Sequence, residues 1–135
     1  MKADIIERFS SLSIYNCGIT SLVVRPRAKI VIEIMRATVS EDVGKICELQ
    51  FNRVQHSILR ARGSPSFGQI IEHYAHFKTS DIIDLLQTEQ PRLYDPRDLI
   101  HFCLNFTGGS FNIIAVDFQF SVIMEIPRAK SPKLI

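Results

Sequence analysis

The sequence predicts an α+β protein built mainly from antiparallel β-sheet, arranged as hairpins or a meander in a sandwich-like or barrel-like body, with one or two short helices inserted in the middle. Three observations support this. Apolar and polar residues alternate before residue 60, and they alternate again after residue 99, which is typical of strands buried on one face. Between residues 67 and 86 the apolar spacing becomes helical instead.

The composition is that of an ordinary globular chain. Its 135 residues fit one domain over 1–135, with 46% hydrophobic and 22% charged residues. The formal net charge of +2 is too small to indicate a polyanionic partner. Three cysteines without C-x-x-C spacing, and no N-terminal apolar run, predict a reduced, cytoplasmic protein. We expect no cofactor and no membrane partner. Residues 127–135 contain two prolines and three basic residues and are predicted to be a frayed end.

The first predicted hairpin is centred on Pro26. Alternating apolar residues precede and follow it, so a short loop there brings two apolar rows together. These residues are Ile19 and Val23 before the loop, and Ile30, Ile32 and Ile34 after it. Residues 4–9 form either a helical turn or an irregular lead-in. Residues 47–51, CELQF, are a third strand, and residues 54–59 either continue it or pair with it.

Two short helices are predicted in the middle of the chain. The first covers residues 67–77, where apolar residues fall at helical spacing after a Ser64-Pro65 start. These apolar residues are Phe67, Ile70, Ile71, Tyr74 and Ala75. The second covers the apolar run 82–86 that follows Thr79-Ser80-Asp81. Residues 90–98, with two prolines, return the chain to the sheet as a loop.

A second hairpin is predicted around Gly108-Gly109. A phosphate-binding loop needs a helix after its glycines, and an alternating strand pattern follows instead. We expect a three-residue loop, residues 108–110, that sets Leu104 opposite Ile114. The same register sets Phe102 opposite Val116, Ile100 opposite Phe118, and His101 across from Asp117 on the other face. Phe102 and Phe118 are therefore predicted to lie in the core.

The run from Phe111 to Ile126 is too long for one ordinary strand. We expect it to break near residues 117–119 or to extend past its hairpin partner. Residues 120–126 then need another neighbour, supplied by the first hairpin or by a second copy of the chain. The homodimer is preferred, because apolar Cys103, Ile113 and Ile123 are left on the nominally outer face.

Residues 72–76, EHYAH, contain two candidate metal ligands, His73 and His76. A zinc-protease helix has histidines at i and i+4 with the glutamate between them, whereas here the spacing is i, i+3 and Glu72 precedes both. The two imidazoles contribute to a metal site only if another ligand comes from elsewhere in the chain. A solvated helix face is the preferred interpretation.

His101, Cys103 and Asp117 are the candidate catalytic residues. His101 and Cys103 are two apart, so on a strand they share a face, and Asp117 is expected to orient the imidazole. The surrounding sequence marks neither an oxyanion hole nor an electropositive setting for the thiol. We therefore expect the protein not to be an enzyme.

Basic residues cluster at the first hairpin loop, as Arg25, Arg27 and Lys29. Aromatic residues are not interleaved with them, so nucleic acid is only the third candidate partner. Charged residues at strand ends also protect sheet edges from unwanted pairing.

The strands SLVVRPRAKIVIEI, CELQF and HFCLNFTGGSFNIIAVDFQFSVIMEI, with helices between them, resemble small bacterial β-rich proteins, some of which are immunity proteins against toxins. The resemblance implies a non-catalytic fold that binds a protein partner. Our leading hypothesis is accordingly a protein that binds another protein or itself. The alternative is a small enzyme or metal-binding protein that uses the histidines and Cys103.

Overall fold

The computed structural model describes residues 2–36, 43–61, 68–78, 80–89 and 98–127. Two helices and eight strands lie within these residues. They follow one another as α1 (Lys2–Ser10), β1 (Gly18–Arg25), β2 (Lys29–Arg36), β3 (Val43–Asn52), β4 (His56–Ala61), β5 (Ile70–His76), α2 (Asp81–Glu89), β6 (Ile100–Phe106), β7 (Gly109–Ala115) and β8 (Asp117–Pro127).

The strands form two four-stranded sheets in which every pairing is antiparallel. The first sheet has the order β1-β2-β3-β8, and the second has the order β4-β7-β6-β5. Apolar side chains from both sheets contribute to one core. The predicted antiparallel α+β architecture is confirmed, but only α2 lies in the middle of the chain, whereas α1 precedes the first strand.

The chain passes between the two sheets at two adjacent corners. One lies between β3 and β4, and the other lies at Val116, where β7 ends and β8 begins in the other sheet. The corners are joined by backbone hydrogen bonds from Gln55 N to Ile114 O, 2.8 Å, and from Val116 N to Asn52 O, 3.2 Å. The predicted break of the long strand therefore exists, slightly before the expected position. The expected neighbour of residues 120–126 is wrong, because β3 of the same chain pairs with them, and not the first hairpin or a second copy. β4 pairs with β7 and neither continues nor pairs with β3.

The predicted register of the second hairpin is wrong. Its turn has two residues, Thr107 and Gly108, so Leu104 lies opposite Phe111 instead of Ile114. The error arises at Val116, because inward-facing residues are odd-numbered in β7 and even-numbered in the first part of β8, before its register shift with β3. A period-two pattern that runs through the corner assigns β7 to the wrong face. Phe102 and Phe118 are nevertheless both buried, as predicted.

Glycines make the tight turn between β6 and β7 possible. Gly108 has φ 92°, which side chains of L-residues rarely adopt. At Gly109 a Cβ atom would lie 2.2 Å from Arg60 O on the neighbouring strand β4. The glycine pair therefore forms the hairpin turn, as predicted.

The predicted helix over residues 67–77 is wrong, because residues 70–76 form the edge strand β5. A register shift between Ile70 and Glu72 inserts an extra residue, and this bulge imitates helical spacing. Pairing with the buried strand β6 overrides that local pattern. The predicted second helix is confirmed as α2, and residues 4–9 are helical within α1. Phe67, residues 90–97 and residues 128–135 lie outside the described residues.

The ring of Phe9, at the end of α1, fills the centre of the core. It is fully buried and packs edge-on against aromatic side chains of both sheets. Its centroid distances are 6.0 Å to Phe51, 5.2 Å to Phe118, 5.0 Å to Phe102 and 5.6 Å to His73. Edge-to-face pairs at these distances add to the stabilisation from burial.

Replacement of Phe9 by alanine is expected to lower the free energy of unfolding by about 3–5 kcal/mol, because it leaves a cavity between the two sheets. Urea-induced unfolding at equilibrium measures the change. Ile71→Ala is the matched control, since the Ile71 side chain is 52% exposed, and its expected cost is below about 1 kcal/mol. Equal losses in the two variants would contradict the central role of Phe9.

Candidate functional site

Three metal-ligating side chains meet on the outer face of the second sheet, next to α2. His76 on β5 lies directly opposite His101 on β6, and Cys103 follows two residues later on the same face. One donor atom from each residue lies within 4.8 Å of the other two. The Cys103 Sγ atom is 3.8 Å from His76 Nε2, and the two imidazole rings stack with centroids 4.7 Å apart. We call these three residues the His–Cys cluster.

Helix α2 covers one side of the cluster. Its apolar residues Ile83 and Leu86 pack with Leu99 and with Ile114 of β7. Ser80 precedes the helix and accepts a hydrogen bond on Oγ from Ile83 N, 3.2 Å, as an N-cap does. This packing leaves His101 only 6% exposed, although it lies on the sheet face that is directed away from the main core.

Both ring nitrogens of His101 have hydrogen-bond partners. Nδ1 is 2.7 Å from Ser80 Oγ, and Nε2 is 2.8 Å from Asn112 Oδ1. Because an amide oxygen only accepts, Nε2 carries the proton and Nδ1 accepts from the serine hydroxyl. The neutral imidazole therefore satisfies the hydrogen-bonding capacity of this buried site.

Burial controls the protonation of the cluster. It lowers the pKa of His101 and of His76, although the nearby carboxylate of Asp81 opposes the effect at His76. Burial also raises the pKa of the Cys103 thiol, while a hydrogen bond with Tyr74 acts in the opposite direction. The cluster is thus neutral at neutral pH, with two unprotonated lone pairs on imidazoles and one protonated thiol.

The structure separates some of the candidate residues. Asp117 lies at the corner between β7 and β8, where its Oδ1 accepts a hydrogen bond from Asn52 Nδ2, 2.7 Å. In the observed register Ile114, and not Asp117, is opposite His101. The predicted approach of Asp117 to the imidazole is therefore wrong, and its physical reason is the corner at Val116.

His73 and His76 lie on opposite faces of β5. His73 packs against the Phe9 ring inside the core, where burial lowers its pKa and the backbone oxygens of Leu12 and Phe9 act in the opposite direction. Its Nε2 atom is buried without a hydrogen-bond partner among the described residues. The expected solvated histidine face does not exist, because an odd spacing on a strand places the two imidazoles on different sides of the sheet.

Sequence reasoning missed the association of His76 with His101 and Cys103. The signal was present, since a strand over residues 70–76 places Tyr74 and His76 on one face and pairs them with Cys103 and His101. The assignment of a helix to these residues concealed it. The contributions of Ser80 and Asn112 left no signal in the sequence, because they depend on how α2 and β7 pack against β6.

The cluster fits metal coordination better than nucleophilic catalysis. A reactive cysteine needs a lowered pKa and an electropositive setting, whereas burial keeps the Cys103 thiol protonated. Two imidazoles and one sulfur atom are common ligands of zinc and of other borderline transition metals.

A second feature is the outer edge of strand β8, which pairs with no other strand among the described residues. We define the β8 edge as residues 118–125. β8 lies at the end of the first sheet, with β3 as its neighbour among the described strands. The consecutive side chains of Val122, Ile123 and Met124 are 48%, 50% and 53% exposed. Ile123 has no opposite residue on β3, because the register shifts there.

An apolar row adjoins the β8 edge on the outer face of the first sheet. Met35, Ile46 and Met124 lie opposite one another on β2, β3 and β8. Met35 is 42% exposed and Ile46 is half-buried. Edge and row together form a contiguous apolar surface, which is unusual on a monomer.

A depression of about 720 Å³ lies at the β6–β7 turn, lined by residues of the turn and of β4, including Gly108, Gly109 and Arg60. The Thr107 N–H of this turn already donates to Gln69 O, 2.9 Å. Strand β7, and not a helix, follows the glycines, so this part of the chain offers the turn no helix N-terminus.

Comparisons of the chain with protein-family models, with curated proteins and with solved structures find no match. Among the described residues no helix is sufficiently long and apolar to cross a membrane.

The stability of the fold is expected to fall as the pH drops below about 6.5, the ordinary pKa of histidine. His73, His76 and His101 all have a lowered pKa in the folded state, so the unfolded chain binds protons first and the folded state loses relative stability. Above that pH these histidines are neutral in both the folded and the unfolded chain, so they no longer make the free energy of unfolding depend on pH.

Urea titrations at pH 7.5 and pH 5 test this in the wild type and in His101→Gln, whose amide does not titrate. We expect a smaller loss of unfolding free energy on acidification in the variant. Ser57→Ala, at an exposed position of β4, removes no titratable group and should behave as the wild type does. Identical pH dependence in all three proteins would contradict the assignment for His101.

Proposed function

We propose that this protein is a protein-binding protein that acts through the β8 edge and forms a homodimer there. The single observation that carries the proposal is the run of three half-exposed apolar residues, 122–124, on an edge strand. An edge strand presents unpaired N–H and C=O groups to any other strand that approaches it. Antiparallel pairing of two β8 strands would satisfy these groups in both copies.

The β8 edge carries only part of the usual protection of an edge strand, namely Glu125 at its end and the register shift at Ile123. Residues 118–124 contain no charged residue and no proline. The edge strand β4 has only six residues and exposes Arg60, and the edge strand β5 exposes Glu72. The remaining edge, β1, is partly covered, because Ile19 N donates to Gly68 O and Gly18 bridges to Gln69.

The residues of β8 favour a second copy as the partner. Around Val122 the chain reads Gln119-Phe-Ser-Val-Ile-Met-Glu125, with a polar residue at each end and apolar residues between them. An antiparallel pair of such strands about a two-fold axis at Val122 leaves Gln119 and Glu125 paired at the ends. The adjoining row with Met35 and Ile46 extends the surface that a second copy would cover.

A surface of one strand and a short apolar row is at the small end of specific interfaces, so we expect a dimer in the micromolar range. The same edge would suit a strand of a different protein, as the resemblance to immunity proteins implies. Strand addition to a free edge is the shared chemistry of the two cases.

Light scattering over a dilution series tests self-association, and the wild type should pass from dimer to monomer as it is diluted through the micromolar range. Ile123→Lys should be monomeric throughout, because a lysine on the edge opposes strand pairing. Val24→Lys is the control, since Val24 is 72% exposed on the opposite edge strand of the same sheet, and it should dimerise as the wild type does.

A wild-type protein that remains monomeric at high micromolar concentration would refute the homodimer. Dimerisation that Val24→Lys abolishes and Ile123→Lys preserves would place the interface at β1 and would also refute the proposal.

A further inference from the structure

The His–Cys cluster lies in the second sheet and is independent of the β8 edge. We propose that His76, His101 and Cys103 form a binding site for a divalent transition metal of the zinc class, with two imidazole nitrogens and one thiolate as ligands.

The distances between the donor atoms fit such a site. In tetrahedral zinc sites, bonds of about 2.0–2.3 Å place neighbouring donors about 3.3–3.6 Å apart. The His76 Nε2 and Cys103 Sγ atoms are already 3.8 Å apart, and all three donors lie within 4.8 Å of one another. The donors need to close by no more than about 1.5 Å to reach these separations.

The donors also lie on a rigid framework. His76 is on β5, while His101 and Cys103 are on β6, and these strands are paired in register at both positions. Ligands on adjacent paired strands are held more firmly than ligands on loops. His101 and Cys103 are buried and His76 is half-buried, so the thiol is shielded and His76 provides access from solvent.

In metal sites, the ring nitrogen of a histidine that does not bind the metal usually forms a hydrogen bond, and the neighbours of His101 can provide that bond. One nitrogen faces Ser80 Oγ and the other faces Asn112 Oδ1. Whichever nitrogen binds the metal, the other retains a hydrogen-bond acceptor that orients the ring. Binding therefore exchanges one hydrogen bond for a coordinate bond and preserves the other.

The protonation of the cluster suits a metal cation. Both histidines are neutral near pH 7, so their lone pairs are available without loss of a proton. The thiol gives up its proton to solvent when the metal binds, and no oxidant or reductant takes part. Three protein donors are typical of zinc sites whose remaining position takes water or a substrate.

Cobalt(II) and zinc(II) titrations of the fully reduced wild-type protein test the proposal. We expect one equivalent of cobalt to bind and to produce a thiolate-to-cobalt charge-transfer band, which zinc then abolishes by displacement. The melting temperature should rise with zinc, since the metal binds the folded state. Calorimetry in buffers of different ionisation enthalpy should show the release of about one proton per zinc.

Cys103→Ser should lose the charge-transfer band, and His76→Gln should weaken zinc binding by at least about tenfold. The two controls are Cys47→Ala, which removes a core thiol, and His56→Gln, which removes an exposed histidine, and both should bind as the wild type does. His76 is only half-buried, so His76→Gln is expected to fold, and its circular dichroism and cooperative melting confirm that before titration.

A wild-type protein that gives no charge-transfer band and no zinc-dependent rise in melting temperature would overturn the proposal. A band that survives in Cys103→Ser and disappears in Cys47→Ala would overturn it as well.

Discussion

The packing of Phe9 between the two sheets is the interaction on which the rest of the structure depends. Each sheet has an apolar inner face that must be buried. Phe9 contacts Phe51 and Phe118 of the first sheet and Phe102 of the second, so one side chain from a helix outside both sheets completes the core of each. The position of α1 is thereby linked to the position of β5, where His73 packs on the same ring.

The two corners of the chain decide which sheet edges remain open. Because β7 and β8 separate at Val116, β7 is paired on both sides within the second sheet, whereas β8 becomes the last strand of the first. The corner itself is closed by hydrogen bonds that involve Asn52 and Asp117. The exposure of Val122, Ile123 and Met124 follows from this geometry, and so does the surface that we propose to pair with a second copy.

The second sheet differs from the first, because parts of both its faces are buried. Its inner face joins the main core, while α2 packs on its outer face around Ile114. Polar residues at the border of α2 must then satisfy one another, and the chain from Ile83 N through Ser80 and His101 to Asn112 does so. The same constraint brings His76 and Cys103 beside His101, so the proposed metal site is a consequence of covering a strand face with a short helix. The two proposed sites lie on different sheets and are testable separately.

The sequence by itself determined the strands with an unbroken period of two, the turn at Gly108-Gly109, the helix after Ser80 and the buried state of Phe102 and Phe118. In these segments the local sequence pattern and the tertiary packing favour the same secondary structure.

Only the tertiary structure decided that residues 70–76 are a strand, because a bulge beside Ile71 imitates helical spacing and the pairing with β6 is non-local. It also decided the register at Leu104, since the inward face changes from odd to even positions at Val116. The spacing of His101 and Cys103 was enough to place them on the same face of a strand. His76, the third member of the cluster, could be placed only by the register between β5 and β6, because 24 residues separate it from His101 in the chain. Contacts of that kind depend on which strands pair with one another. The alternation of apolar and polar residues in a single sequence shows which face of a strand is buried, but it does not show which strand lies beside it.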